Sequence, residues 1–389
     1  MQGGEALMPF MRRYPLVLSR GEGVRVFDEQ GRAYWDFLAG IGVTSLGHDH
    51  PLVRRAIAEA IPLLHTSNLY WNRPAMELAR ALAKISGNWQ VFFANSGTEA
   101  NEAAIKFVRR HALGSERRVI LSMQGGFHGR TLGSLAMTPN PKYQDPFRPL
   151  PEGFAAVPYN DEEALEAALQ RFSPAAVMVE AIQGEAGVIV PHRGYLQAVA
   201  KLCRQYGTLL AVDAVQTGMG RTGTWLGFED EAITPDLVTL AKGLGAGVPI
   251  GAVLARPEVV AAMQPGEHAS TFGGNPLATG VGLAVVRWLE REGLTHVRRV
   301  AVELETRLRE LMARHQGKVR AVRGRGLMWG IVLNMPSAPV VERLLEQGLL
   351  VNAIAPDVIR LLPPLVVDEE AIGSAMAILN SVLAQATVG

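Results

Sequence analysis

Between about residues 50 and 280 the chain alternates short, unbroken apolar runs with longer amphipathic stretches. The runs at 90–94, 119–123, 175–180, 209–215, 237–241 and 250–255 are almost wholly apolar, which predicts strands buried on both faces of a sheet. A 3.6-residue period over Tyr195–Gln205 predicts a helix between two of them. Alternation of this kind is the mark of a mainly parallel sheet covered by helices, so residues 51–280 are expected to form a large α/β domain. Beyond 280 the pattern lengthens: helical periods at 283–292 and 297–315, an apolar run at 327–333, and a further helix at 340–346. Residues 281–389 are therefore read as a smaller α+β domain. The first fifty residues hold strand-like runs at 23–27 and 33–37 around Asp28-Glu29-Gln30-Gly31, a hairpin expected to pack with the small domain.

Composition narrows the functional classes. The chain has 389 residues, 48% of them hydrophobic, and 38 basic residues against 37 acidic give a net charge of +1. No broad electrostatic attraction to nucleic acid or membrane is expected, so partners should be small molecules or copies of the chain itself. Cys203 is the one cysteine, which excludes an intrachain disulfide; on its helical pattern it reads as a core thiol. The longest apolar candidate for a membrane span, 237–254, is interrupted by Lys242, glycines and Pro249. A weak apolar stretch precedes Arg12 and Arg13, the reverse of the order in an export signal, so the expected compartment is the cytoplasm. His48 and His50 lie close together without a third ligand; hydrogen bonds in a loop and at a helix start are expected of them, and no metal site.

Three segments carry candidate chemistry. Ser96-Gly-Thr-Glu99 follows a strand and opens a helix, with Ser96 and Glu99 spaced as a capping box. Free N–H groups at such a helix start, with Gly97 permitting close approach, also suit a phosphate. Asp213 falls near the end of an apolar strand, where a carboxylate needs a cationic partner; that partner is either a ligand or an arginine. Lys242 ends the next apolar run and precedes Gly243-Leu-Gly-Ala-Gly247, whereas the other five lysines sit in polar surroundings. A lysine so placed has the depressed pKa that an imine-forming nucleophile needs, although a lysine with its head reaching solvent fits the same position. Gly218-Met-Gly-Arg-Thr-Gly223 has dinucleotide-binding spacing, but 221–235 contains Thr-Gly-Thr-Trp, an acidic cluster and a proline, which read as loop rather than the helix that motif must open.

Taken in order, Phe92-Phe-Ala-Asn-Ser-Gly-Thr-Glu-Ala-Asn-Glu102, Phe127-His-Gly-Arg-Thr131, Glu180-Ala-Ile-Gln-Gly-Glu-Ala-Gly187, Asp213-Ala-Val-Gln-Thr-Gly218, Ala241-Lys-Gly243 and Ser270-Thr-Phe-Gly-Gly-Asn-Pro276 resemble the class III pyridoxal-5'-phosphate (PLP) aminotransferases over nearly the whole chain. The resemblance implies the PLP-dependent aminotransferase fold, with Lys242 holding the cofactor as an imine and moving protons, and Asp213 holding its pyridine nitrogen. It further implies that Ser96, Gly97 and Thr98 surround the phosphate, that Phe127 and Val215 cover the two ring faces, and that Gln216 binds the ring hydroxyl. Thr271 is expected to reach the phosphate of a neighbouring subunit and Ser270 the substrate, so the working unit is expected to be at least a homodimer. Arg130 and Arg360 are implied as binders of substrate carboxylates, with Glu185 covering Arg360 for the amine donor and releasing it for 2-oxoglutarate. Ala39-Gly-Ile-Gly-Val43, Gly47-His-Asp-His-Pro51, Ser67-Asn-Leu-Tyr70 and Val322-Arg-Gly-Arg-Gly-Leu-Met328 favour N-acetylornithine as donor. Ornithine, 4-aminobutyrate, succinyl-diaminopimelate or a carrier-linked aminoadipate semialdehyde are the alternatives, and a PLP-dependent mutase or racemase is a more distant one. Two positions depart from the family pattern. Ala214 stands where glutamate is common, and Ala186 where the pattern has the first of two glycines, a change expected to restrict the backbone there.

Overall fold

The structure, a computed structural model, describes residues 6–11 and 13–387; residues 1–5 and Arg12, on which the export reading draws, lie outside them. The α/β expectation is met. A central sheet of seven strands runs in the order Gln90–Ala94, Gly251–Ala255, Leu237–Leu240, Leu209–Asp213, Ala176–Glu180, Ile120–Met123, Phe154–Val157. Gly251–Ala255 pairs antiparallel with both neighbours, and the remaining pairings are parallel. All six expected strands are present, each within two residues of its expected bounds. The edge strand Phe154–Val157 was not expected: it is four residues long and only partly buried, so it lacks the apolar density that marks the others.

Parallel strands place their C-terminal ends along one edge of a sheet, where ligands of α/β proteins collect. Here that edge carries Glu180 and Asp213, which are register partners, and the turns after Ala94 and Leu240, which carry Ser96 and Lys242. The helix Gly97–His111 packs an unbroken apolar face of Ala100, Ala103, Ala104, Phe107 and Val108 against the sheet, which fixes its first turn at that edge.

The C-terminal region forms a separate antiparallel sheet of Val319–Arg325, Met328–Leu333, Val358–Leu361 and Asn352–Ala355. It is covered by Leu294–Arg314, Ser337–Glu346 and Glu369–Gln385. The helical period expected at 283–292 belongs to a longer helix, Pro276–Trp288, continued by a wide turn at Leu289–Gly293. Its start is set by Asn275, whose side chain accepts from Ala278 N at 2.8 Å, and by Pro276 at the first position. The N-terminal strands Leu18–Glu22, Arg25–Asp28 and Ala33–Asp36 form a meander that Leu349–Leu350 joins in parallel, tying the start of the chain to its C-terminal third. No helix among the described residues is long and apolar enough to cross a membrane.

Candidate active site

A cavity of about 430 Å³ opens at the strand-end edge. Its walls bring together most of the residues singled out in the sequence: Ser96, Gly97, Thr98, Phe127, Arg130, Glu185, Asp213, Val215, Gln216 and Lys242. Arg360 reaches it from the small sheet through Glu185. Ser270 and Thr271 are outside it; they sit in a surface loop, Thr271 exposed, with Ser270 Oγ accepting from Asn95 Nδ2 at 3.1 Å.

Ser96 caps its helix as expected, accepting from Glu99 N at 3.3 Å. The return half of the capping box is displaced by one residue. Glu99 Oε2 accepts from Asn95 N and Asn95 Nδ2, both at 2.8 Å, instead of from the cap itself. The N–H groups of Gly97 and Thr98 are first-turn donors without helical partners. Thr98 Oγ1 is engaged with Thr131 Oγ1 at 2.9 Å and Ser134 Oγ at 2.7 Å, and the residue lines the cavity. A Cβ at residue 97 would stand 2.8 Å from Val215 Cγ1, so glycine here is what lets the helix start and the Val215 wall approach.

Asp213 is buried and its partner is one that sequence reasoning missed. His128 Nδ1 and Asn101 Nδ2 both lie 2.8 Å from Asp213 Oδ2, and Val215 N donates to Oδ1 at 3.0 Å. Burial alone would raise the Asp213 pKa, but the bond and charge of His128 and the amide donors outweigh it and hold the group below the usual carboxylate value. Burial would conversely lower His128; its bond to Asp213 and the nearby carboxylates reverse the sign and raise it. The result is a carboxylate at the cavity wall whose ionised form is favoured, with the imidazole of His128 bonded behind it. His128 is 85 residues from Asp213 in sequence, and only its place in the Phe127-His-Gly-Arg motif marked it.

Glu180, at the end of the neighbouring strand, is a second group without an assigned role. Burial raises its pKa to about 7, against the charge of His128, and its Oε2 accepts from Phe127 N at 3.1 Å. Lys242 has φ of 44°, a left-handed conformation rare outside glycine, and burial lowers its pKa. Strain of this kind is tolerated where the surroundings impose it, and here it accompanies an amine whose proton burial makes easier to lose.

At the far wall Arg360, fully buried, holds Glu185: Nη1 lies 2.6 Å from Glu185 Oε1 and donates to Gln216 Oε1 at 3.1 Å, while Nη2 has no partner. Burial would raise the Glu185 pKa, and the charge and bond of Arg360 bring it below the ordinary value. Arg130 is exposed at the rim, its guanidinium 3.8 Å from the Tyr143 ring centroid and 5.3 Å from Phe127. The two departures are accommodated. Ala186 does not take a positive φ, whereas Gly187 does at 106°, so the expected restriction at 186 falls on backbone that alanine adopts freely. Ala214 is buried and packs beside Gly218.

The profile of the class III aminotransferases matches residues 10–383. The chain is a class III aminotransferase. It is 46% identical over 385 residues to acetylornithine aminotransferase of Caldanaerobacter subterraneus, covering 97% of each chain. Among solved structures it is similar to N-acetylornithine aminotransferase of Stenotrophomonas maltophilia, with TM-score 0.83, 39% identity and 96% of each chain covered. It also matches ornithine aminotransferase of Toxoplasma gondii, with TM-score 0.94, 34% identity, and 98% of this chain and 93% of that one covered. The fold is accordingly that of the PLP-dependent aminotransferases, and the enzyme is a PLP-dependent transaminase. The cavity suits the cofactor on its own terms. It offers a primary amine of lowered pKa, an ionised carboxylate with room for one more donor, and a helix start cleared by Gly97. No cluster of three or more potential metal ligands occurs among the described residues, and the dinucleotide-like 218–223 segment is a series of turns. His50 Nδ1 accepts from Leu52 N at a helix start and His48 bonds Asp36 at 2.8 Å, while Cys203 is buried with its thiol pKa pushed up to about 12.

Proposed function

We propose that this aminotransferase moves the δ-amino group of N-acetylornithine to 2-oxoglutarate, giving N-acetylglutamate 5-semialdehyde and glutamate, as a cytoplasmic homodimer in arginine biosynthesis. When bound, pyridoxal phosphate supplies the electron sink that lets the carbon bearing the amine lose its proton. Lys242 Nζ binds the cofactor and afterwards takes that proton and returns one. Asp213, braced by His128 and Asn101, keeps a negative charge opposite the pyridine nitrogen. The amides of Gly97 and Thr98 bind the phosphate with Ser96 capping their helix, Phe127 and Val215 cover the ring faces, and Gln216 takes the ring hydroxyl.

The observation that carries the two-substrate reading is the Glu185–Arg360 pair at 2.6 Å with Arg360 fully buried. With the pair closed, the charge of Arg360 is met by Glu185, and Arg130 is left to receive the donor. With Glu185 turned away, Arg360 meets the second carboxylate of 2-oxoglutarate. A mutase or racemase has no need of such a device. Arg130 at the rim suits the donor's own carboxylate. An acetylated α-nitrogen suits it better than the ammonium of ornithine, which would bring a second cation beside the guanidinium. The full-length identity to acetylornithine aminotransferases supports the same choice.

A homodimer is supported by the apolar surface beside the Ser270–Thr271 loop. Leu69 and Trp71 are 87% and 89% exposed, Phe272 is exposed and tilted against His65 with ring centroids 5.1 Å apart, and Asn68 Nδ2 donates to Ser270 O at 2.6 Å. In this reading Thr271 serves the phosphate of the neighbouring subunit and Ser270 its substrate. The division at 1–50, 51–280 and 281–389 is proposed with it, on the separation of the three sheets. The test is the loss of the lysine-bound cofactor band when enzyme meets N-acetylornithine, ornithine or 4-aminobutyrate separately, and its return with 2-oxoglutarate. Fastest loss with N-acetylornithine is expected; a faster reaction with either other amine would reassign the donor.

A further inference from the structure

The segment 322–328 lies outside the site described above, yet it joins the small sheet to the loop that carries Glu185. The strands Val319–Arg325 and Met328–Leu333 form a hairpin whose turn is pressed against the large domain. Leu327 N donates to Arg221 O at 2.9 Å. Arg221 Nη1 donates back to Leu327 O at 3.0 Å, and Arg325 pairs with Glu231 at 3.3 Å. The hairpin is thus seated at several points, and Arg323 projects from it with little freedom. Its Nε and Nη2 both donate to the carbonyl oxygen of Gly187, at 3.0 and 2.8 Å.

Gly187 is two residues beyond Glu185 and takes φ of 106°. A Cβ there would lie 3.0 Å from Arg323 Nη2, so the turn and the guanidinium are fitted to each other. Two arginines of the small domain therefore hold one short loop, Arg360 by the carboxylate of Glu185 and Arg323 by the backbone that follows it. We propose that Arg323 is a positioning residue that sets how readily Glu185 leaves Arg360, and so how the pocket divides its preference between amine donor and dicarboxylate acceptor. The inference rests on the exchange of Glu185 described under the proposed function. A buried cation needs its counter-ion, so a loop that holds Glu185 in place defends Arg360 against an incoming carboxylate. A loosened loop yields it.

Glutarate, a dicarboxylate without the reacting carbonyl, separates this role from general support of the fold. It is titrated calorimetrically into PLP-loaded wild type, Glu185→Ala, Arg323→Ala and Arg323→Lys. Glu185→Ala should tighten glutarate binding most, Arg323→Ala should tighten it roughly three- to tenfold, the worth of a hydrogen bond or two, and Arg323→Lys should fall between Arg323→Ala and wild type. The donor KM should rise by a similar factor in Arg323→Ala while the 2-oxoglutarate half-reaction is spared. Unchanged glutarate affinity in Arg323→Ala beside a tightened Glu185→Ala would overturn the role of Arg323 alone. So would a parallel loss of both half-reactions with a lowered melting temperature. Glutarate affinity unmoved by Glu185→Ala would remove the exchange itself, and this inference with it.

Discussion

Asp213 and Glu180 end neighbouring strands as register partners, and His128 is bonded to Asp213 behind the cavity wall. An apolar strand ending in aspartate states that the carboxylate needs a cation, but not which one, because His128 arrives from a different strand-to-helix loop. Glu180 was quoted within a motif, and its environment becomes plain only when the register sets it opposite Asp213. Its consequence is a pH dependence of stability. The folded pKa is raised, to about 7 from 4.5, so the stabilisation from its bound proton is complete below about 4.5 and is lost as pH rises through 7. By linkage the loss is at most about 3–4 kcal/mol, since one pKa unit is worth about 1.4 kcal/mol. Glu180→Gln carries no such proton while still offering an oxygen to Phe127 N. Thermal midpoints taken from pH 5 to pH 8 should therefore fall more steeply for wild type than for the variant. Parallel curves would mean that Glu180 is ionised throughout. His128 works in the same direction, its raised pKa giving stability that is full below about 6.5 and fades above it, but it is present in both proteins.

Elements were legible where burial left a one-sided chemical record. The parallel strands are nearly all apolar, so their runs read directly, and Tyr195–Gln205 has its period because one face alone is buried. Phe154–Val157 was invisible because an edge strand is half exposed. The start of Pro276–Trp288 was missed because glycines and threonine there dilute the apolar period, although Asn275-Pro276 is a recognisable helix opening. The Gly97–His111 helix was legible at its cap, and its first turn allows a sharp test. In most helices alanine is better than glycine, and Gly97→Ala should leave the helix intact. Its Cβ must nevertheless displace Val215, whose Cγ atoms stand at 2.8 and 3.1 Å. Overpacking of that kind costs about 1–3 kcal/mol, so PLP titrated into the apo variant should bind about tenfold more weakly or worse. An unchanged dissociation constant would show that the phosphate lies elsewhere.

At the scale of the whole molecule, a single chain does not bring every expected site residue together, and the exception has a pattern. Ten of them line the cavity and Arg360 adjoins it, while Ser270 and Thr271 are held on a surface loop amid exposed leucine, tryptophan and phenylalanine. Surface of that composition is costly to leave in water, and a second copy of the chain would cover it and carry its own Thr271 towards the first copy's phosphate. The arrangement predicts complementation. Lys242→Ala has no amine to bind the cofactor and should be inactive. Thr271→Ala loses one charge-assisted bond, worth about 1.5–3 kcal/mol, and should lose activity when PLP is limiting. In a mixed dimer both lesions fall in the same site, because the Lys242→Ala chain receives its phosphate contact from the Thr271→Ala chain. The other site has Lys242 from one chain and Thr271 from its partner, and is intact. Dissociating and reassociating the two variants together should therefore raise activity at limiting PLP well above that of either alone. If Thr271 served its own chain, every site in the mixture would carry one lesion and activity would not exceed the average of the two parents.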